Sequence, residues 1–260
     1  MPGLVALIRP VSSAIADCEL THLERVAIDV QRARAQHAAY ASALRDRDCR
    51  VVTLPGTDDL PDSVFVEDTA IVLAEIAIIT RPGAPSRRAE VATVAAELAR
   101  HRPVTRMQPP ATLDAGDVLR IGRTLFVGAS SRTGSDGIAA LRTAAEPFGY
   151  RVVPVALTGC LHLKTAATAV AADRLLVNPQ WVDTGAFGSM QRIEVAAHEP
   201  FGANALLVGD HVICAAAFPA TCERLVNAGL AVHTVDVSEL AKAEGGVTCC
   251  SIVFEERPET

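Results

Sequence analysis

The sequence has no basic footprint, no membrane-length apolar run and no paired-cysteine motif, and each absence removes a class of function. Its 24 Lys/Arg residues are outnumbered by 30 Asp/Glu residues, a formal charge of -6. The basic residues are scattered, which argues against nucleic acid or an anionic membrane surface as a partner. No apolar run reaches the roughly 18 residues needed to span a bilayer. The start, Met1-Pro-Gly-Leu-Val-Ala-Leu-Ile-Arg9, lacks the basic region of a secretion signal, so a cytoplasmic protein is expected. The seven cysteines, at 18, 49, 160, 214, 222, 249 and 250, are odd in number and form no CxxC pair. They read as free thiols, most of them small buried apolar residues. Neither a GxGxxG nor a P-loop is present to support a doubly wound sheet, the competing architecture.

What is present is a repeat. Strand-like apolar runs come in close pairs across a short polar turn: Thr69–Leu73 with Ile76–Thr80, Val118–Ile121 with Thr124–Val127, Ala167–Val170 with Arg174–Val177, and Ala205–Val208 with His211–Cys214. Such pairs predict β-hairpins. A helix-like stretch follows each pair (Ser86–Arg100, Asp136–Phe148, Met190–Ala197, Pro219–Ala228), and after three of these stretches a further short strand is expected, such as Arg151–Val155 or Ala231–Val235. The turns fall near Glu75, Gly122, Asp173 and Gly209, so the repeat is about 50 residues twice and then about 36. A fifth unit is expected from the chain ends, with Val247–Phe254 pairing Val5–Ile8 ahead of a helix over Asp29–Arg45. Closing the ring in this way covers both sheet edges. The reading is one α/β domain over 1–260, a five-bladed pseudo-symmetric ββαβ propeller.

Polar residues that look out of place gather where the chain runs into each hairpin. Asp62-Ser-Val-Phe-Val-Glu67-Asp68 precedes the first, Leu113-Asp114-Ala-Gly-Asp117 the second, Cys160-Leu-His162-Leu-Lys164 the third, and Gly245-Gly-Val-Thr-Cys249-Cys250-Ser251 the last strand. In a closed ring equivalent positions face one axis. Carboxylates, a histidine and a cysteine would meet there, the set needed to activate a thiol nucleophile with a base and an orienting acid. Of the adjacent cysteines only one can face that cleft if they lie in a strand, because successive side chains alternate.

These segments, with Thr80-Arg-Pro-Gly-Ala-Pro-Ser-Arg-Arg and Val127-Gly-Ala-Ser-Ser-Arg132-Thr, closely resemble the dimethylarginine dimethylaminohydrolase family of the guanidino-group-modifying superfamily, over essentially the whole chain. The resemblance implies a five-bladed propeller that hydrolyses asymmetric dimethylarginine and monomethylarginine to citrulline, with no metal or organic cofactor. It implies Cys249 as nucleophile with Cys250 a bystander, His162 as the proton donor to the departing amine, and Asp114 as the acid that orients His162 and meets a guanidinium nitrogen. It further implies Asp62, Glu67 and Asp68 around the guanidinium, Arg87 and Arg132 on the substrate carboxylate, and the carbonyls of Leu20 and Ala243 on the ammonium. Val11–Leu20 corresponds to a substrate-covering lid, beside which Cys18 and His22 read as structural or solvent-facing. Zinc held by Cys249 and His162 is implied as an inhibitor. The partner expected is a small molecule, and a homodimer is left open. A deiminase acting on arginine or agmatine, or another N-substituted arginine, is the alternative. A silent ligand-binding protein on the same fold is the other.

Overall fold

The computed structural model describes residues 3–257, so Met1, Pro2 and 258–260 of the expected 1–260 domain lie outside the described residues. Five three-stranded sheets share one plan. A middle strand pairs antiparallel with the strand before it in the sheet and parallel with the strand after it, and the parallel pair requires a crossover. The first sheet joins the ends: β1 (Leu4–Ile8) lies antiparallel to β15 (Ile252–Glu255) and parallel to β2 (Cys49–Thr53), with α1 (Val30–Arg45) crossing between. The second is β3 (Ala70–Val72), β4 (Ala77–Ile79) and β5 (Val104–Arg106), with α2 (Val91–Leu98) crossing. The third is β6 (Val118–Ile121), β7 (Thr124–Ala129) and β8 (Arg151–Ala156), crossed by α3 (Ser135–Ala145). The fourth is β9 (Ala167–Ala171), β10 (Arg174–Val177) and β11 (Gln191–Glu194), entered through the short α4 (Leu163–Ala166). The fifth is β12 (Ala205–Val208), β13 (His211–Ala215) and β14 (Ala231–Val235), crossed by α5 (Pro219–Asn227), and α6 (Ser238–Ala241) leads back to β15.

The four hairpins, the two further strands and the ring closure appear where the apolar pairing puts them. Two expectations change. Met190–Ala197 is not a helix: Gln191–Glu194 is the parallel strand β11, reached through a 3-10 turn over Thr184–Phe187. The short repeat interval is the reason, since it omits about as much chain as one helix needs, and β-branched Ile193 and Val195 favour the extended form. The strand expected over Val247–Phe254 begins only at Ile252, and Val247–Cys250 form a turn.

The inner strands line a channel of about 1070 Å³ along the ring axis, bounded by residues of β3, β6, β9, β12 and β15. Apolar side chains on the outward faces pack under the helices. Helix α1 buries Ala33, Tyr40, Ala41 and Leu44 along one side, and Asp29 caps its start by accepting the Arg32 N–H. No helix among the described residues is long and apolar enough to cross a membrane.

The Tyr40 hydroxyl, wholly buried, meets the buried Ser251 hydroxyl at 2.6 Å and so ties α1 to the residue between the turn and β15. Tyr40→Phe leaves the Ser251 hydroxyl without that partner, and a loss of about 1–3 kcal/mol is expected. Urea unfolding midpoints of the two proteins check it; equal midpoints contradict the assignment.

Candidate active site

Four chain segments deliver polar groups to one end of the channel axis. The 3-10 turn Val66–Thr69, ahead of β3, buries Glu67 and Asp68. Asp114 stands at the start of the 3-10 turn Ala115–Asp117 ahead of β6. His162 is extended at the start of α4, and Cys249 sits in the turn ahead of β15. A cavity of about 20 Å³ is walled by Asp62, Asp68, Arg87, Arg132, His162 and Cys249, with Glu19, Phe65, Leu161, Ala243, Glu244 and Gly245 completing it. Four of the five sheets are thus entered through a short turn that brings polar residues to the axis.

His162 is braced on both sides. Its Nε2 lies 3.1 Å from Asp114 Oδ2, and its Nδ1 lies 3.8 Å from Asp68 Oδ1. Burial alone disfavours the imidazolium, but Asp68 and the Asp114 hydrogen bond, with Asp117 behind them, raise its pKa to about 9. The histidine is therefore cationic at neutral pH. Asp68 is held by the Arg87 guanidinium at 2.6 Å and by the Gly116 N–H at 3.0 Å. Against the effect of burial, His162 and Arg87 keep its carboxyl below the ordinary value. Only glycine fits at 116, since a Cβ there would stand 2.6 Å from Asp68 Oδ1 and 2.8 Å from His162 Nδ1.

Six of the seven cysteines are buried free thiols, and Cys249 is the one half-exposed. Its Sγ accepts the Gly246 N–H at 3.3 Å, while its carbonyl accepts the Glu67 N–H at 3.1 Å. Burial, then Glu67 and Asp68, push the thiol up to about 12. Cys250 is fully enclosed and turns its Sγ back to the Gly246 carbonyl at 3.4 Å. The two cysteines do diverge, but the cause is the turn and not strand alternation.

The structure gathers Asp62, Asp68, Arg87, Arg132, His162, Ala243 and Cys249 around the cavity and leaves three expected residues off its wall. Asp114 is 0% exposed, with Oδ1 taken by the Gly83 N–H and Oδ2 by His162. It stands behind the imidazole, with both oxygens paired and no place on the cavity wall where the expected guanidinium contact would lie. Glu67 faces the channel, its oxygens accepting from Lys164 Nζ and the Thr248 hydroxyl, both at 2.7 Å. Leu20 packs half-buried on the core, and its neighbour Glu19 is the wall residue. Arg87 is largely committed inward: it grips the Glu90 carboxylate through Nε and Nη2, Asp68 through Nη1, and the Phe65 carbonyl. Arg132, half-buried, holds the Thr21 hydroxyl at 3.0 Å. Cys18 is buried in the core; His22 is exposed.

The segment Val11–Leu20 is less loose than its composition suggests, because Val11, Ile15 and Cys18 are core residues. Its continuation is fastened by Glu244, which no sequence motif marked. That carboxylate accepts the consecutive N–H groups of Thr21, His22 and Leu23 at 2.5–3.1 Å. Asp117 closes the polar run that starts at Asp114, and the sequence gives it no role of its own. It is 0% exposed and accepts from Ser130, Thr133 and the Leu163 N–H, tying the Arg132 loop to the His162 segment. Asp68, Asp114 and His162 have ligand atoms within 4.8 Å of one another, close enough to hold a metal ion. Arg87 and the imidazolium already supply positive charge to that group, which disfavours a cation there.

Residues 21–185 match the family described as "N,N dimethylarginine dimethylhydrolase, eukaryotic". The chain is 40% identical over 258 residues to the N(G),N(G)-dimethylarginine dimethylaminohydrolase of Streptomyces coelicolor, covering 98% of this chain and 99% of that one. It is 36% identical to the protein of the same name from Pseudomonas aeruginosa, covering 94% and 96%. A crystal structure of a mutant of a Pseudomonas aeruginosa enzyme complexed with citrulline superposes with a TM-score of 0.93 at 34% identity, covering 98% of this chain and 100% of that one.

The thiol environment carries an expectation of its own. With a pKa near 12 the free protein holds little thiolate at pH 7, and alkylation by iodoacetamide is expected to be slow there. The rate should climb about tenfold per pH unit through pH 9–11, because thiolate is the nucleophile. Peptide mapping should find Cys249 labelled before Cys250. Rapid labelling at pH 7, or equal labelling of both, contradicts the described site.

Proposed function

The chain belongs to the dimethylarginine dimethylaminohydrolase family, and from that membership we propose that it hydrolyses asymmetric dimethylarginine and monomethylarginine to citrulline, releasing dimethylamine or methylamine. The observation that carries the reading is the pairing of one half-exposed thiol with a cationic, doubly braced imidazole in a single carboxylate-lined cavity. A guanidinium entering between Asp62 and Asp68 brings positive charge to the thiol, and that charge favours the thiolate the free site suppresses. The Cys249 sulfur then bonds to the guanidinium carbon. The carbon–nitrogen bond to the methylated nitrogen breaks as His162 gives that nitrogen its proton, because an amine leaves readily only when protonated. His162, now neutral, takes a proton from water, whose oxygen adds to the carbon of the S-alkylthiouronium. Loss of the sulfur gives citrulline, and proton return restores the starting charges. Asp114 holds the ring in place throughout.

Binding follows charge. Arg132, with the remaining Nη1 hydrogen of Arg87, suits the carboxylate at the far end, and the carbonyls of Leu20 and Ala243 suit the ammonium. The reaction needs no metal or organic cofactor, because thiol, acid and orienting carboxylate come from the chain. A homodimer is compatible with this reading and is not required by it.

Citrulline formation from asymmetric dimethylarginine, monomethylarginine, arginine and agmatine tests the proposal in parallel. Turnover of the two methylated substrates above the others is expected; preference for arginine or agmatine would make the protein a deiminase, and no turnover a silent binder. Cys249→Ser should abolish activity and Cys250→Ser largely keep it. His162→Asn and Asp114→Asn should lower kcat by about 10²–10⁴-fold. Arg132→Ala should raise KM more than it lowers kcat, since its contact is equally present before and after the bond changes.

Zinc belongs to the same reading as an inhibitor. Cys249 and His162 border one cavity, and a thiolate with an imidazole is a soft pair that zinc favours. Micromolar zinc is expected to inhibit, and a chelator to restore activity. Because protons compete for both ligands, inhibition should weaken as pH falls. Full activity in excess zinc removes this part of the proposal.

A further inference from the structure

The chain runs into five strand units, and four of those approaches supply residues already described. The fifth, His198-Glu-Pro-Phe-Gly-Ala-Asn204, runs through the 3-10 turn Pro200–Ala203 into β12. It ends on Asn204, which is 7% exposed and sits at the position of the repeat that carries the other inward polar groups. No charge or pattern singles Asn204 out in the sequence.

Its carboxamide joins two segments that the Glu67 carboxylate also bridges, through Lys164 Nζ and the Thr248 hydroxyl, and it alone of the two reaches their backbones. Oδ1 accepts the Thr248 N–H at 3.0 Å, and Nδ2 donates to the Thr248 hydroxyl at 3.0 Å and to the Lys164 carbonyl at 3.2 Å. Thr248 immediately precedes the nucleophile, and Lys164 lies two residues beyond His162. One planar amide thus spans the turn carrying the thiol and the helical turn following the imidazole. The fit is close, since a Cβ on Gly246 would come within 2.4 Å of Asn204 Oδ1. The Thr248 hydroxyl passes its own hydrogen to Glu67 at 2.7 Å, so the carboxamide can donate to it without competition.

We propose that Asn204 is a positioning residue for this hydrolysis, setting the Cys249 turn against the His162 segment so that the proton donor faces the nitrogen that leaves. The inference rests on the hydrolase reading above. Asn204 touches neither the cavity nor a reacting atom; it acts through Thr248 and Lys164. A displacement of about 1 Å between reacting groups is enough to lower a rate roughly a hundredfold. Proton delivery is the step most exposed to it, because the leaving amine must meet the imidazole while its carbon is bonded to sulfur.

The test compares two leaving groups in one site. Dimethylamine departs from asymmetric dimethylarginine only with a proton, whereas methanethiol departs from S-methyl-L-thiocitrulline as a thiolate with little help from an acid. In Asn204→Ala, kcat on dimethylarginine is expected to fall by about a hundredfold, with KM changed by less than about threefold. The fall on S-methyl-L-thiocitrulline should be at least tenfold smaller. Asn204→Ser, which is small and polar, should show the same leaving-group dependence if the alanine variant does not fold, and melting curves establish the folded fraction of each. Thr248→Ser keeps the hydroxyl and should retain most of the wild-type rate on both substrates. Equal losses on the two substrates, or a change confined to KM, overturn the assignment. A wild-type protein inert toward both rejects the hydrolase reading itself, a result distinct from failure of the Asn204 variants alone.

Discussion

The carboxylate of Asp68 is the contact on which the site depends. A buried carboxylate is tolerated only where charge and hydrogen bonds replace lost water, and here Arg87, the Gly116 N–H and His162 do so together. Arg87 is positioned in turn by Glu90, whose carbonyl accepts from the fully buried Arg9. Arg9 also reaches the Ser63 carbonyl, inside the segment that carries Asp62 and Asp68. One chain of alternating charge therefore runs from the end of β1, through the turn ahead of α2, to the imidazole. The charge on His162 depends on this chain. Remove Asp68, and the imidazolium loses the largest of the influences that sustain it, leaving the Asp114 hydrogen bond and Asp117 to oppose burial.

The ring makes such convergence possible. Sheets this small have too little interior to bury several charged groups each, but five of them share one axis, and each contributes a turn at the same end. Residues as distant in sequence as Asp68 and Cys249 become neighbours because they hold equivalent places in successive units. The large channel on the other side of Glu67, Lys164 and Thr248 is lined by inner strands, so the site is approached from the turn end.

Legibility in the sequence followed this division of labour. Hairpins were readable because near-continuous apolar runs flank short polar turns, and the ring closure because Val5–Ile8 and the last strand were otherwise unpaired edges. The meeting of Asp114, His162 and Cys249 was readable because each stands at the equivalent approach to a strand in its unit. Met190–Ala197 was misread because its apolar spacing suits either structure, and only the shortened interval favoured the strand. Residues whose work is purely geometric left little trace. Asn204 and Glu244 act through backbone groups of segments far away in sequence, and neither an asparagine nor a glutamate before a turn is unusual. Glu67 and Asp114 have the expected residue type, yet the structure turns both away from the cavity, which depends on the partners each side chain meets.

The Glu244 carboxylate, itself on the cavity wall, grips the successive amides of Thr21, His22 and Leu23. Three bonds to one acceptor form and break together, so they act as one fastening and not as three. That fastening is rooted in a left-handed backbone position, with φ of 58° at Glu244. One glutamate side chain thus ties the cavity wall to a stretch of chain more than two hundred residues away in sequence.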